Sequence, residues 1–210
     1  MTILIGACLG YLIGSIPTAY IFGKLYKGID IREYGSGNVG ATNVFRVLGK
    51  WPGSIVLVID ILKGFLVVGP LSGVLGVQGY IGLFLLAISV VCGHNWTLFL
   101  NFRGGKGIAT SLGVLIAFTI KMESLRIVLL FIVLVWLACF LWSGIVSLSS
   151  VIASLSLPVI MVITKQPVVF ISLGIIFCVF VILRHRSNIQ RYFKGAEPRV
   201  DLSFLKKYFR

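Results

Sequence analysis

The chain has 210 residues, of which 58% are hydrophobic and 12% are charged, and its net charge is +13. Ordinary globular domains carry about a quarter charged residues, so this composition excludes a typical soluble domain. Apolar runs recur along nearly the whole chain and predict an all-α, polytopic integral membrane protein in a lipid bilayer. The basic residues lie mostly between these runs, where they orient a membrane protein and suit phosphate groups, so no nucleic-acid partner is predicted.

Three spans are predicted in the amino-terminal half. Residues 2–23 carry no charge and lack the positive segment that precedes a cleavable signal, so they form the first span. Residues 52–70 form the second, although Asp60 and Lys63 interrupt it, and residues 79–100 form the third. Asp60 and Lys63 are neighbours on one helix face, and we expect a structural ion pair that orders the helix bundle.

Four more spans are predicted in the remainder of the chain. Residues 107–120 form a short fourth span of about 21 Å, against roughly 30 Å of hydrocarbon. Residues 127–164 are uncharged and too long for one helix, so the Ser- and Gly-rich segment 142–150 divides them into spans five and six. Residues 167–183 form the seventh span, and residues 1–210 are predicted to be one transmembrane domain.

The positive-inside rule predicts the orientation. With seven spans, the loops of one side carry fifteen Lys and Arg residues, whereas the other side carries only Lys121, Arg126 and Lys165. The fifteen are Lys24, Lys27, Arg32, Arg46, Lys50, Arg103, Lys106, Arg184, Arg186, Arg191, Lys194, Arg199, Lys206, Lys207 and Arg210. The amino terminus is therefore predicted outside and the carboxyl terminus in the cytoplasm. Without the fourth span, the basic tail would lie outside.

The first of three polar clusters is "YGSGNVGATNVFR", residues 34–46. Glycines let successive backbone N–H groups turn toward one point, and hydroxyl, amide and guanidinium groups complete a phosphate site. The residues that would form this site are Gly35, Ser36, Gly37, Asn38, Gly40, Thr42, Asn43 and Arg46. The alternative is a plain Gly- and Asn-rich turn.

The second cluster is "GHNWTLFLNFRGGKGIATSLG", residues 93–113. It predicts a second anion site, because glycines surround a lysine directly before the fourth helix, whose amino terminus favours an anion. The candidate binding residues are His94, Asn95, Arg103, Gly104, Gly105, Lys106 and Gly107. The spacing is not GxxxxGK[ST] and no strand precedes it, so a small phosphorylated molecule is favoured over a nucleotide.

The third cluster is "RHRSNIQRYFKGAEP", residues 184–198. It contains His185, and the only other histidine, His94, lies in the second cluster; each has either a structural role or a role in binding and proton transfer. The predicted topology places all three clusters at the cytoplasmic ends of helices, so we expect them to converge at one site. Neither the cysteines nor the histidines have metal-ligand spacing, so no metal site is predicted.

The chain resembles the bacterial acyl-phosphate-dependent glycerol-3-phosphate acyltransferase family (PlsY) in "GSGNVGATNVFR", in "GHNW" followed by "FRGGKGIAT", and in "RHRSNIQR" followed by "GAE". The resemblance implies an enzyme of the bacterial cytoplasmic (inner) membrane, with its active site facing the cytoplasm. It would transfer a fatty acyl group from acyl phosphate to the sn-1 hydroxyl of glycerol 3-phosphate, giving lysophosphatidic acid and inorganic phosphate without a cofactor.

The resemblance also assigns roles to individual residues. Ser36 and Arg46 would be catalytic or bind the donor, and the glycines of the second cluster would bind the phosphate of glycerol 3-phosphate. His185 and Asn188 would be catalytic, and Glu197 structural. Because acyl phosphate is already activated, no acyl-enzyme is required; the donor phosphate or His185 is expected to accept the proton.

Charge neutralisation in this interpretation comes from Arg46, Lys106 and Arg184. Other acyltransferases carry His and Asp separated by four residues, but Phe99 and Gln190 stand at the corresponding positions after the two histidines. Two other classes remain open. A transporter for an organic phosphate would show polar residues through the full membrane depth and paired repeats, and a phosphate-releasing hydrolase would need a nucleophile or metal cluster.

Overall fold

The computed structural model describes residues 1–201, and every regular element in this range is a helix. The predicted all-α class is confirmed. The chain forms two compact units, Met1–Leu125 and Arg126–Arg210. That they act as one domain stays a prediction. The tail cations Lys206, Lys207 and Arg210 lie outside the described residues.

Eleven α-helices are present in the described part of the chain. The first unit contains α1 (Thr2–Ser15), α2 (Thr18–Lys27), α3 (Ala41–Val47), α4 (Lys50–Leu66), α5 (Ser72–Val74), α6 (Tyr80–Asn95) and α7 (Ile108–Lys121). Four more helices follow: α8 (Leu125–Ser143), α9 (Val146–Ile163), α10 (Val168–Arg184) and α11 (Arg186–Phe193). A π-helical segment, Val67–Leu71, joins α4 to α5.

Five helical stretches within residues 1–201 are long and apolar enough to cross a membrane, and α10 with α11, bent by 60°, makes a sixth if the pair is one span. The five are Thr2–Lys27, Lys50–Val74, Tyr80–Leu100, Leu125–Ser143 and Val146–Ile163. Helix α7 is apolar but has only 14 residues. The seventh span and the orientation of the termini therefore stay predictions.

The first predicted span differs from expectation in being broken. Residues 2–23 lie within the helical stretch Thr2–Lys27, which is long and apolar enough to cross a membrane, but α1 ends at Ser15 and α2 begins at Thr18. Pro17 lies in the break, where it has no backbone N–H to donate and disfavours helical backbone at Ile16. At this break Lys63 Nζ donates to the Ile16 carbonyl and Thr97 Oγ1 donates to the Ser15 carbonyl.

Glycines allow two helix pairs of the first unit to pack with their backbones in contact. A Cβ on Gly14 of α1 would lie 2.1 Å from the Val90 carbonyl oxygen of α6. A Cβ on Gly64 of α4 would lie 2.1 Å from the Thr110 carbonyl oxygen of α7. Backbones approach this closely only where small residues occur. These crossings fix the ends of α4, α6 and α7, which carry the polar residues described below.

In the second unit, the break between α8 and α9 falls at Gly144, inside the predicted segment 142–150. Gly144 has φ +69°, which favours glycine, and its carbonyl accepts a 2.8 Å hydrogen bond from the Val200 N–H. The segment after α11 therefore packs against the amino-terminal end of α9. This contact brings Glu197 of the third cluster beside α9.

Candidate active site

Asn43 organises the first polar cluster. Its Oδ1 accepts a hydrogen bond from the Ser36 N–H at 2.8 Å, and its Nδ2 donates to the carbonyls of Ile31 (3.2 Å) and Tyr34 (3.0 Å). Gly35 has φ +61°, and a Cβ there would lie 2.3 Å from Asn43 Oδ1. Asn43 is buried, so in this structure its amide holds the loop in shape.

The other predicted residues of this cluster lie around the hydrogen bonds of Asn43. Ser36 and Arg46 are exposed, whereas Gly37, Asn38 and Thr42 are half-buried and Gly40 is buried. Asp30 accepts from Arg32 just before the loop; this hydrogen bond is the main reason that the pKa of Asp30 falls to about 2. The anchored loop therefore presents the exposed Ser36, and the exposed Arg46 follows in the last turn of α3.

The glycine loop of the second cluster packs on the end of α6. The Gly105 N–H donates to the His94 carbonyl at 2.9 Å, and the Gly104 N–H donates to the Asn95 carbonyl at 3.2 Å. These donors therefore face α6, which differs from the predicted nest of glycine N–H groups. Anion binding here would depend on Lys106 and on the amino terminus of α7, whose first N–H groups have no partners within the helix.

Polar side chains with unmet hydrogen-bonding capacity gather at that amino terminus. Four buried side-chain atoms have no hydrogen-bond partner in the described part of the chain: Asn95 Nδ2 and Oδ1, Thr110 Oγ1 and Ser111 Oγ. Asn95 lies against Gly107, which has φ +78° and whose added Cβ would be 2.7 Å from Asn95 Oδ1. Buried polar atoms without partners are rare, so this end of α7 is suited to a polar ligand.

Asp60 and Lys63 form an ion pair beneath these loops, with 2.6 Å between Lys63 Nζ and Asp60 Oδ1. A cavity of about 10 Å³, enough for about one water molecule, adjoins the pair. Its lining also includes Val39 of the first cluster and the two glycines of the second, Gly104 and Gly105. The structure therefore brings the first two clusters to the same place. Arg103, at the outer end of the glycine loop, is exposed.

The third cluster lies in the second unit, where Glu197 accepts three side-chain hydrogen bonds. Asn188 Nδ2 donates at 2.6 Å and Ser147 Oγ at 2.7 Å to Oε1, while Arg191 Nε donates at 2.8 Å to Oε2. Ser147, in the first turn of α9, was not predicted from the sequence. Convergence of this cluster with the first two stays a prediction.

His185 lies at the junction of α10 and α11 and is buried. Its Nδ1 is 2.8 Å from the Val181 carbonyl oxygen, an acceptor only, so Nδ1 carries the proton. In the neutral ring the basic nitrogen is then Nε2. Arg184, one residue earlier, is half-buried.

We expect Glu197→Gln to destabilise the second unit by about 2 kcal/mol at pH 7, because the amide N–H2 must face a donor. Burial raises the pKa of Glu197, but hydrogen bonds from Ser147, Asn188 and Arg191 outweigh it, and the pKa is lowered. The stabilisation is then complete above the unfolded value of about 4.3 and lost as pH falls through the folded value. Melting temperatures of wild type and variant should converge at low pH.

Glu123→Gln, which alters an exposed carboxylate, serves as the control. A difference in melting temperature between wild type and Glu197→Gln that stays constant at all pH values would contradict this account.

Residues 4–195 match the family model for glycerol-3-phosphate acyltransferase. The chain is 42% identical over 205 residues to the glycerol-3-phosphate acyltransferase of Trichormus variabilis, covering 90% of this chain and 88% of the relative. It is 41% identical over 198 residues to that of Carboxydothermus hydrogenoformans, covering 94% and 96%.

The chain is also similar to two crystal structures of PlsY (YgiH), an integral membrane glycerol 3-phosphate acyltransferase. Its glycerol 3-phosphate form matches with a TM-score of 0.86, and its lysophosphatidic acid form with 0.84. In both cases the identity is 38% and all of each chain is covered.

Proposed function

The chain belongs to the glycerol-3-phosphate acyltransferase family, and we propose that it transfers a fatty acyl group from acyl phosphate to the sn-1 hydroxyl of glycerol 3-phosphate. The products would be lysophosphatidic acid and inorganic phosphate. The main support is the full-length similarity, at 38% identity, to structures of one enzyme in its glycerol 3-phosphate and lysophosphatidic acid forms. These two molecules differ by one acyl ester, so they are acceptor and product of an acyl transfer.

The acyl-phosphate donor is consistent with the residues of the chain. In the transfer, the acceptor oxygen bonds to the donor carbonyl carbon, and the bond from that carbon to the phosphate oxygen breaks. Ser36 and Arg46 would hold the donor phosphate, whereas Lys106 and the amino terminus of α7 would hold the acceptor phosphate. Because a mixed anhydride needs no further activation, positioning and charge neutralisation supply the acceleration.

The hydroxyl proton of the acceptor would pass either to the departing phosphate or to Nε2 of His185. Asn188 would complete this part of the site, and Arg184 would neutralise charge. Asn188 Nδ2 donates to Glu197 Oε1 at 2.6 Å, which supports a structural role for that carboxylate in holding Asn188 in place.

If His185 is the base, His185→Ala should remove the acid-side inflection from the pH dependence of kcat/KM. The physical reason is that Nε2 accepts a proton only when the ring is neutral. The matched control is Arg186→Ala, an exposed neighbour with no ring nitrogen. An unchanged profile with activity retained would leave the donor phosphate as the acceptor.

The proposed location is the bacterial cytoplasmic membrane, with the three clusters at its cytoplasmic face. The support is the excess of basic residues in the loops that carry the clusters. In this arrangement the acyl chain lies among the helices, and the water-soluble acceptor arrives from the cytoplasm.

One assay tests the function directly: purified protein in detergent is given acyl phosphate and glycerol 3-phosphate. Lysophosphatidic acid released together with phosphate supports the proposal. Phosphate with free fatty acid would indicate a hydrolase. No turnover, with uptake of an organic phosphate into proteoliposomes, would indicate a transporter.

A further inference from the structure

Lys63 of α4 bridges the break between α1 and α2. Lys63 Nζ donates to the Ile16 carbonyl at 2.6 Å and also to Thr18 Oγ1. Thr18 Oγ1 in turn donates to Asp60 Oδ1 at 3.0 Å. Asp60 and Lys63 are 2% and 4% exposed, so α4 carries a charged pair that is almost completely buried.

Such a pair is weak as a source of stability, because desolvating two charges offsets most of their attraction. Apolar side chains of similar size often stabilise a protein as well or better. An arrangement of this kind is therefore better explained by what the charges hold in place.

Asp60 also faces the second cluster through His94. The same carboxylate oxygen, Oδ1, lies 3.8 Å from His94 Nδ1, within ion-pair distance when the imidazole is protonated. On its other edge the imidazole lies against the glycine loop, because a Cβ on Gly105 would be 2.1 Å from His94 Nε2. The ring is thus enclosed between the carboxylate and the loop backbone.

The backbone of the glycine loop also packs against the backbone of His94. The Gly105 N–H donates to the His94 carbonyl at 2.9 Å, and a Cβ on Gly104 would be 2.1 Å from that same oxygen. Lys106 follows directly. A rotation of the His94 ring would therefore displace the segment that presents Lys106 and begins α7.

We propose that Asp60 and Lys63 are positioning residues, which set His94 against the Gly104–Gly105 backbone and so determine how the loop binds the phosphate of glycerol 3-phosphate. This inference rests on the proposed function and deepens it. The charged pair acts through His94 and does not touch the substrate.

The decisive variant replaces both charges at once, Asp60→Leu with Lys63→Met, because Asp60→Asn alone leaves a buried lysine without its carboxylate and lowers stability. We expect the double variant to fold, with a melting temperature lowered by the loss of the Lys63 hydrogen bonds to the Ile16 carbonyl and Thr18 Oγ1. Its KM for glycerol 3-phosphate should rise about tenfold, with a smaller change in kcat, because the loop is misplaced and not lost. A role confined to folding would leave the KM of the folded variant unchanged when it is assayed well below its melting temperature.

The matched control is Glu123→Gln, which alters an exposed carboxylate beyond the opposite end of α7 and should leave KM unchanged. A second measurement is the rise in melting temperature that glycerol 3-phosphate alone produces. This rise should be present in the wild type and largely lost in the double variant.

His94→Gln supplies the coupling test. Added to the double variant, it should raise KM little further, because the carboxylate acts through the imidazole. Full additivity of the two changes would overturn the proposal.

The two failures are distinguishable. If the wild type is stabilised by glycerol 3-phosphate and turns over, and the double variant matches it in both, only the positioning role is wrong. If the wild type shows neither turnover nor stabilisation by glycerol 3-phosphate, the proposed substrate and the positioning role fall together.

Discussion

Gly104→Ala should lower kcat/KM for acyl transfer by about a hundredfold or more, while the helices remain folded. The added Cβ would lie 2.1 Å from the His94 carbonyl oxygen and 3.0 Å from the Asn95 carbonyl carbon. Both are backbone atoms at the end of α6, so neither can rotate away as a side chain would. The loop itself must move outward, and Lys106 moves with it.

The expected separation of activity from stability makes this prediction specific. The displaced hydrogen bonds, from Gly104 to Asn95 and from Gly105 to His94, belong to a loop and not to a helix crossing. Melting temperature and size-exclusion behaviour in detergent should therefore change little, whereas KM for glycerol 3-phosphate should rise.

Gly73→Ala is the matched control for this substitution. Gly73 lies in α5, and nothing lies within 4 Å of its added Cβ. Alanine is also the better helix former by about 0.5–1 kcal/mol, so this variant should be as active and at least as stable as the wild type. If Gly104→Ala retained activity equal to that of Gly73→Ala, the loop would not be part of the active site.

The helical segments of the fold were predictable because apolar runs report directly on lipid or core contact. The division at residues 142–150 was predicted from Ser and Gly alone, and the structure breaks there at Gly144. The break at Pro17 was missed, because residues 2–23 carry no charge on either side of the proline and therefore form one continuous apolar run. The proline itself indicated the break, because it has no backbone N–H to donate to a helical hydrogen bond.

The candidate site was predictable only in part, because residue types indicate chemistry but not partners. The ligand-binding role of Asn43 stays a prediction, but the hydrogen bonds of its amide to the Ser36 N–H and to the Ile31 and Tyr34 carbonyls could not be read from the sequence. Thr110 and Ser111 follow the glycine loop in "GIATS" but were not singled out, although they lie in the first turn of a helix, where anions commonly bind. Ser147 lies 50 residues before Glu197, a separation that sequence spacing does not bridge.

The packing roles of the glycines were the least predictable part of the structure. Glycines were assigned to backbone nests, but Gly104 and Gly105 serve close packing on α6. Glycines within the spans were not interpreted at all. Gly6, Gly10 and Gly14 recur every fourth residue on one face of α1, a pattern that indicates close helix packing. The partner helix, α6, became known only from the structure.

The second large effect is expected for Gly113→Ala, which should destabilise the first unit by about 3 kcal/mol or more. The added Cβ would lie 1.9 Å from the Ile61 carbonyl oxygen and 3.0 Å from the Phe65 backbone nitrogen. Both atoms belong to α4, so α4 and α7 must separate. A lower melting temperature in detergent and a smaller monodisperse fraction are the measurements.

Gly69→Ala is the control, because its added Cβ would meet its nearest neighbour, the Ala117 Cβ, at an ordinary 3.8 Å. It should change the melting temperature little. The crossing at Gly113 joins the helix that carries Asp60 and Lys63 to the helix that begins at the glycine loop. Surviving Gly113→Ala protein should therefore also bind glycerol 3-phosphate less tightly. Wild-type stability with wild-type KM would mean that the two backbones do not meet at this crossing.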